Sequence, residues 1–240
     1  LPKHTRCAHR PTDQAFLLSY FLRVALGLMA AQVAVRVAAA RAAYVDVVCA
    51  SGRRLAEAEA KGWTITQIWN THWHPDHAGG NADIVAATGA RVVGPQEVTR
   101  IGAAPDRVLH EGDVVELGAL KASVIDTPGH TLGHIVYHLP DHHIAFVGDT
   151  LFALGCGRLF EGTAGQMWDS LGKLRAMPDD TTIYCAHEYT ASNAAFALSV
   201  DASNADLVAY ADGVKAKRTK DIPTVPTTIG AEKRANPFLR

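Results

Sequence analysis

The stretch Thr71-His72-Trp73-His74-Pro75-Asp76-His77 follows an apolar run and places four potential metal ligands within six residues. Side chains of an extended segment alternate between faces, so His72 and His74 are expected to project to the same side. Asp76 and His77 lie at a predicted helix entry, where neighbouring side chains point in different directions. We therefore expect these two to begin a second coordination sphere. The stretch predicts a site for two metal ions, provided that the rest of the chain supplies the missing ligands.

Three later segments supply candidate ligands. His130 ends the segment Thr127-Pro128-Gly129-His130, Asp149 lies within Gly148-Asp149-Thr150, and His187 lies within Ala186-His187-Glu188. Each segment follows a predicted strand, and the carboxyl ends of strands are where α/β sheets commonly place their sites. These three residues are therefore predicted to reach the same place as the first stretch.

The candidate ligands divide into two groups that share one carboxylate. Divalent ions of the zinc type accept neutral imidazole and carboxylate donors, and a catalytic site leaves a position for water. The first predicted group is His72, His74 and His130, and the second is Asp76, His77 and His187. Asp149 is predicted to bridge them because a carboxylate has two oxygens. Water held between ions roughly 3.5–4 Å apart would lose a proton near neutral pH and become a hydroxide nucleophile.

Each later candidate also has a simpler interpretation. In a Pro-Gly turn His130 could be solvated or bonded to backbone, and Asp149 could cap the segment after its strand. His187 alone carries little information. The other histidines nearby are predicted to be structural or surface residues: His134, His138, His142 and His143. The first stretch favours metal binding, because four such donors would repel one another without an ion to neutralise them.

Composition indicates an ordinary globular protein. The 240 residues are 48% hydrophobic and 20% charged, which fits one domain or two small ones with a real core. A net charge of −1 gives no reason to expect nucleic acid or an anionic membrane as a partner. The four cysteines form no C-x-x-C pair, so a reducing, cytoplasmic location is expected.

The two ends of the chain differ from its centre. The apolar segment 16–43 is predicted as a buried or amphipathic helix, and its arginines leave no stretch of the ~18 apolar residues that a membrane span needs. Regular α/β patterns begin at Arg54, and helical patterns dominate after Gly165. We predict an α/β domain at residues 1–165, atypical over 1–53, and a mostly helical, substrate-binding C-terminal region at 166–240.

Four motifs together resemble the metallo-β-lactamase fold superfamily: T-H-x-H-x-D-H, T-P-G-H-T, G-D-T-L-F and A-H-E-Y-T. Within it, the segments 155–163, His187-Glu188-Tyr189-Thr190 and Asn236-Pro237-Phe238 are similar to the glyoxalase II, or hydroxyacylglutathione hydrolase, family. The resemblance covers about residues 63–240. It implies an α/β fold, a metallo-β-lactamase-like αββα sandwich with a C-terminal helical domain. The strands that this family has before the residue equivalent to Arg54 are expected to be missing or altered here.

The same resemblance implies a site and an activity. Asp76 and Asp149 would be the catalytic carboxylates that hold the metal-bound hydroxide. The implied substrate-binding residues are Arg158, Phe160, Tyr189, Lys233 and Arg234. Phe160 stands at a position that can be Tyr, so a hydroxyl contact is absent there. The implied reaction is hydrolysis of S-D-lactoylglutathione, a 2-hydroxyacyl-glutathione thioester, to glutathione and D-lactate. Its cofactors would be two divalent ions, zinc first, with iron or manganese as alternatives.

Three alternatives stay open at this point. One is a sulfur dioxygenase that uses a single iron, and another is a lactonase or β-lactamase-like hydrolase of the same fold. The third is a metal-binding homologue whose altered N-terminus has impaired catalysis. A nuclease is disfavoured because the sequence has no basic stripe. The expected partner is a small molecule, an acylated glutathione, with neither nucleic acid nor membrane, and the chain is expected to be a monomer.

Overall fold

Two β-sheets form the centre of the molecule in a computed structural model of the chain. The structure describes residues 33–37, 41–45, 51–101 and 104–240, with backbone alone before residue 55. One sheet has five strands, the other has six, and a separate hairpin has two. Helices cover the outer faces of both sheets.

The first sheet is mostly parallel. Its strands, in spatial order, are β1 (Val33–Val37), β2 (Arg41–Val45), β3 (Thr64–Trp69), β4 (Arg91–Gly94) and β5 (Arg107–Val108). Only the β1–β2 pair is antiparallel among these five. Two strands therefore precede Arg54, so of the two expected alternatives, missing or altered strands, the first is wrong for this sheet and the second stays a prediction.

The helix predicted over residues 16–43 is also wrong where the chain is described. Residues 33–37 and 41–43 are strand, and the remainder of that segment lies outside the described residues. The sequence Val-Ala-Val-Arg-Val alternates β-branched valines with other residues, and valine loses side-chain freedom in a helix but packs well on a sheet. β1 pairs with β2, and β2 pairs with β3, so pairing with neighbouring strands favours the strand conformation.

The second sheet is mostly antiparallel. Its strands are β6 (Val114–Leu117), β7 (Leu120–Asp126), β8 (Ile135–Leu139), β9 (Ile144–Gly148), β12 (Thr182–Cys185) and β13 (Thr227–Thr228). Their spatial order is β13-β12-β9-β8-β7-β6, and β9 and β12 run parallel. The short hairpin of β10 (Leu151–Phe152) and β11 (Gly155–Cys156) lies between β9 and β12 in the sequence.

Alternating side chains divide the core into layers. Trp69 on the first sheet and Tyr137 and Phe146 on the second pack together between the sheets. Their neighbours Ile68 and Val136 point outward, toward helices. Because successive strand residues face opposite sides, each central strand is apolar on both faces. The result is the predicted four-layer αββα arrangement.

Helices form the outer layers. α1 (Ser51–Ala60) and α3 (Asn81–Thr88) cover the first sheet. α4 (Ala164–Arg175) and α7 (Ile229–Ala235) pack on the second sheet, and α5 (Thr190–Val200) packs against α6 (Ala205–Arg218). A short helix, α2 (Pro75–Ala78), follows β3. None of the helices in the described part of the chain is long and apolar enough to cross a membrane.

The C-terminal part is not only helical. After residue 165 it supplies four helices, but it also adds β12 and β13 to the second sheet. The helix α4 begins at a capping box, in which Thr163 and Gln166 satisfy each other's backbone N–H groups.

Four strands end shortly before the segments that carry the candidate ligands: β3, β7, β9 and β12. Their ends place those segments at one edge of the sandwich.

Candidate metal centre and cavity

The stretch from Thr71 to His77 is held by buried contacts with both sheets. Tyr137 donates its hydroxyl to the Asn70 carbonyl at 2.7 Å, and the Ile135 amide donates to the Thr71 carbonyl at 2.9 Å. The Asn70 side-chain amide donates to the His77 backbone carbonyl at 3.1 Å. Pro75 begins α2, where its missing N–H costs nothing. The stretch is therefore tied to the protein at several backbone positions.

Three imidazoles form the first donor group. His72 Nε2 and His130 Nε2 each lie 3.0 Å from His74 Nδ1. The opposite nitrogen of His130 is 2.8 Å from the Arg158 carbonyl, which can only accept, so that nitrogen carries the proton. His72 Nδ1 lies 3.0 Å from the Thr71 hydroxyl. These contacts orient the rings with Nε2 of His72 and His130 toward the shared position, as in many metal sites.

Burial keeps these imidazoles neutral. It lowers the pKa of His72 well below its usual value, and the nearby His77 lowers it further. Burial also lowers the pKa of His74 and of His130. Three neutral nitrogens with lone pairs that converge this closely repel one another, and a cation between them removes that repulsion. The donor chemistry of this group therefore fits a divalent ion.

The second donor group combines a carboxylate with two imidazoles. Asp76 Oδ2 lies 3.4 Å from His187 Nε2 and 3.7 Å from His77 Nε2. Ligand atoms of the three residues all lie within 4.8 Å of one another. The His77 side chain is wholly buried, whereas that of Asp76 is 49% exposed. The backbone beside His187 is fixed by an Ala186 N–H that donates to the Gly148 carbonyl.

Asp149 lies between the two groups. Its Oδ1 is 3.3 Å from His77 Nε2, and its Oδ2 is 3.3 Å from both His130 Nε2 and His187 Nε2. Burial alone would raise the pKa of this carboxyl, but His77 and the hydrogen bond with His187 hold it well below its usual value. The carboxylate is therefore charged and in contact with both groups, so all seven residues predicted as ligands meet at one place.

His134 supports this arrangement from behind. It is fully buried, its Nε2 accepts the Asp149 backbone N–H at 3.0 Å, and its Nδ1 lies 2.8 Å from the Thr127 hydroxyl. Its ring stacks on that of His72. The sequence singled it out only as a structural or surface histidine. Nothing in the local sequence shows that it holds Asp149, because the contact joins the start of β8 to the end of β9.

Gly148 is required at this point of the chain. Its φ is +48°, a conformation that favours glycine. A Cβ there would lie 2.6 Å from both His134 Nε2 and the Thr71 hydroxyl oxygen. The residue before Asp149 therefore cannot carry a side chain without displacing the residues that orient the donors.

A cavity of about 610 Å³ opens above the two donor groups. Three of the residues predicted to bind substrate line it: Arg158, Phe160 and Tyr189. The Tyr189 ring stacks on His187 with 4.7 Å between centroids, and Phe160 contacts His74 and His130 edge-on. The cavity is thus polar at its floor and aromatic at its rim.

The other two predicted substrate residues lie elsewhere. Lys233 Nζ is 2.6 Å from Asp179 Oδ1, and the Arg234 carbonyl accepts from the Asn204 side chain. Neither residue is among those of the described chain that line the cavity. The Ile229 and Gly230 amides donate to carbonyls of Thr181 and Asp179, which fixes the start of α7 beside that acidic residue.

The structure also adds lining residues that were not predicted. Phe152 and Ser192 line the cavity, and so does Cys156, whose thiol pKa is raised by burial to about 11. Phe152 comes from β10 and Ser192 from α5, two elements that are distant in sequence. Phe152 ends the G-D-T-L-F motif, which could have drawn attention to it, whereas Ser192 reaches the same wall only through the packing of α5 against the hairpin.

Comparison with known proteins first defines the class. The family model of the metallo-beta-lactamase superfamily matches residues 37–187. A crystal structure of ETHE1 from Myxococcus xanthus is similar to this chain with a TM-score of 0.70 and 27% identity, over 92% of this chain and 84% of that one. The fold, together with His and Asp clusters able to bind divalent metal, is that of this superfamily.

The family within that class follows from the rest of the chain. A model described as hydroxyacylglutathione hydrolase C-terminus matches residues 188–240. Hydroxyacylglutathione hydrolases of Erythrobacter litoralis and Maricaulis maris are each 61% identical to this chain over 186 residues, 78% of this chain and 74% and 73% of theirs. The chain belongs to the hydroxyacylglutathione hydrolase family, which confirms the predicted resemblance.

Proposed function

We propose that this chain is a thioester hydrolase that converts S-D-lactoylglutathione, or a related 2-hydroxyacyl-glutathione, to glutathione and the free hydroxy acid. One observation carries the proposal: Asp149 spans two donor groups at the floor of a cavity whose rim holds Arg158. The relatives named hydroxyacylglutathione hydrolase support the same activity. Methylglyoxal detoxification would be the setting in which such a substrate arises.

We propose that His72, His74 and His130 hold one divalent ion, that Asp76, His77 and His187 hold a second, and that Asp149 contacts both. Zinc is the first choice, with iron or manganese as alternatives, because imidazole and carboxylate donors accept all three. When bound, such ions polarise a carbonyl group and lower the pKa of a metal-bound water to near neutrality. The first group offers three neutral imidazoles and the second offers one carboxylate and two imidazoles, and the shared Asp149 carboxylate adds negative charge beside both.

The chain's own residues would orient the substrate. The Arg158 guanidinium would pair with a glutathione carboxylate, a charge-assisted contact that fixes direction as well as affinity. Phe160 and Tyr189 offer aromatic surface to the tripeptide and to the acyl group. Glutathione leaves as a thiolate, so no strong general acid is required. The Cys156 thiol remains protonated at neutral pH and does not compete as a nucleophile.

The test is a metal analysis of the purified chain paired with an assay on S-D-lactoylglutathione. We expect two divalent ions per chain and loss of the thioester with release of a free thiol. One iron per chain with oxygen consumption would instead support the sulfur dioxygenase alternative. A full complement of two ions with no turnover of any glutathione thioester would support the catalytically impaired homologue.

The remaining assignments are also proposals. We propose a cytoplasmic monomer that acts on a small molecule and binds neither nucleic acid nor membrane. We further propose that residues 1–165 form the metallo-β-lactamase-like domain and that residues 166–240 form a mostly helical substrate-binding region, which also supplies the proposed ligand His187. Sedimentation of the purified chain tests the first of these, and a monomer mass of 25.6 kDa is expected.

A further inference from the structure

One side chain outside the donor groups joins three loops above the metal centre. Glu161 Oε1 accepts from the Trp73 indole N–H at 3.1 Å and from the Arg100 guanidinium at 2.7 Å. Its Oε2 accepts from the Leu132 backbone N–H at 3.1 Å. The Glu161 side chain is only 19% exposed. Both carboxylate oxygens are therefore used: Oε1 contacts two segments of the chain and Oε2 contacts a third.

The partners of Glu161 also contact one another. The Arg100 guanidinium lies 4.4 Å from the centroid of the Trp73 ring, within range of a cation–π contact. Trp73 stands between His72 and His74 in the chain, and Leu132 lies two residues after His130. Glu161 is thus fastened to both segments that supply the first donor group, although it touches none of the donors.

The loop at residues 158–162 carries two rim residues that have little support of their own. Arg158 and Phe160 are exposed, Phe160 by 64%, so neither is fixed by burial. Backbone contacts hold the loop on its inner side: the Phe160 amide donates to the His130 carbonyl at 3.2 Å, and the Gly162 amide donates to the Gly129 carbonyl at 3.1 Å. Glu161 adds a side-chain anchor between these contacts.

We infer that Glu161 is a positioning residue, which sets the 158–162 loop so that Arg158 and Phe160 face the cavity. It acts on substrate binding and leaves the bond-breaking step to the donor groups below. This inference rests on the proposed function, since the rim residues matter only if a substrate occupies the cavity. A surface ion pair without such a role would contribute only slightly to stability, and its loss would leave KM unchanged.

The test compares Glu161→Ala with a matched control, Glu111→Ala. Glu111 also accepts from one cation, Lys173 at 2.8 Å, and from one backbone amide, that of Asp126 at 2.8 Å, but it lies outside the 158–162 loop that carries Arg158 and Phe160. We expect Glu161→Ala to raise KM for S-D-lactoylglutathione about 5- to 20-fold, with kcat within about twofold and bound metal unchanged. Glu111→Ala should leave both constants unchanged.

Two further variants sharpen the result. Glu161→Gln keeps one acceptor oxygen but loses the charge, and it should give an intermediate KM. In the double variant Arg158→Ala/Glu161→Ala, KM should rise by less than the product of the two single effects, because Glu161 acts partly through Arg158. Fully multiplicative effects would overturn that route. An unchanged KM in Glu161→Ala, or a joint loss of kcat and metal, would overturn the positioning role itself.

The proposed function can fail separately. Binding of S-methylglutathione, a thioether that cannot be hydrolysed as an acyl thioester, is measured by calorimetry on the wild type and on Glu161→Ala. If the wild type hydrolyses no thioester but Glu161→Ala weakens binding of this probe 5- to 20-fold, the positioning role stands and the hydrolase assignment falls. If binding is equal in the two proteins, the positioning role falls.

Discussion

The floor and the rim of the cavity are built in opposite ways. Floor residues such as His72 and His77 are fully buried and lie just beyond strand ends, whereas Phe160 and Tyr189 on the rim are 64% and 45% exposed. The floor is fixed by two sheets and by polar contacts behind the donors, and the rim is fixed by loops. Changes at the floor should therefore alter chemistry and folding, and changes at the rim should alter substrate affinity.

The largest expected effect comes from the residue shared by both donor groups. Asp149→Asn keeps the shape but removes the charge that contacts both groups. We expect kcat to fall by at least about 1,000-fold and the amount of metal bound per chain to fall, because a carboxylate in contact with both donor groups matters more than the residues that orient them. Assay and metal analysis measure both. Asp141→Asn, in an exposed turn, is the control, and equal losses in the two variants would contradict the role of Asp149.

A smaller effect is expected from the backbone of the floor. Gly148→Ala places an alanine where the backbone is left-handed, and its Cβ would lie 2.6 Å from His134 Nε2 and Thr71 Oγ1. We expect about 2–4 kcal/mol of destabilisation, measured by chemical denaturation. The matched control is Gly172→Ala in α4, where an added Cβ would meet no other atom within 4 Å outside its own helical neighbourhood. That change should stabilise the protein by about 0.5–1 kcal/mol. Similar losses at both positions would show that Gly148 has no special role.

At the rim, the expected effect is on affinity alone. Arg158→Ala should raise KM for S-D-lactoylglutathione about 10-fold, or about 1.4 kcal/mol, with kcat within about twofold. The guanidinium would bind the distant end of the substrate equally in the ground and transition states. Arg107→Ala, which breaks an exposed pair with Asp113, is the control. A collapsed kcat beside an unchanged KM would place Arg158 with the floor rather than the rim.

The smallest expected effect is the change with pH in the free energy of unfolding, which depends on the buried histidines of the floor. In the folded, metal-free chain burial lowers the pKa of His72 and His134 well below the usual value of about 6.5, so the unfolded chain binds more protons as the pH falls. The free energy of unfolding should therefore decrease between pH 7.5 and pH 6.0, by roughly 0.8 kcal/mol for each such histidine. Carboxyl groups of the unfolded chain titrate below this window. Equal or greater stability at pH 6.0 would contradict the buried, neutral floor.

The sequence was informative where ligands are close together and where each follows a strand. The spacing of His72 and His74, and the segments that carry His130, Asp149 and His187, were enough to predict one shared site, and the motifs were enough to predict the family. The structure brings these residues to contact distances, as expected from strand ends that meet at one edge of a sandwich.

The sequence was uninformative where long-range packing decides. Segment 33–45 is rich in alanine and valine, and the pairing of β1 with β2 and of β2 with β3 overrides a plausible helix. The role of His134 depends on a contact with the next strand, and the direction of Lys233 depends on where α7 meets Asp179. None of these is a property of neighbouring residues, so periodicity and spacing could not reveal it.

The position of β13 has a consequence for how the chain folds during synthesis. Thr227–Thr228 form the outer edge of the second sheet, directly beside the strand that leads to His187. As the chain emerges from the ribosome, that strand has no outer neighbour until almost the whole protein has been made. A chain that ended before residue 227 would contain all seven donors, with β12 paired to β9 on one side, but it would leave the other side of β12 as an exposed strand edge.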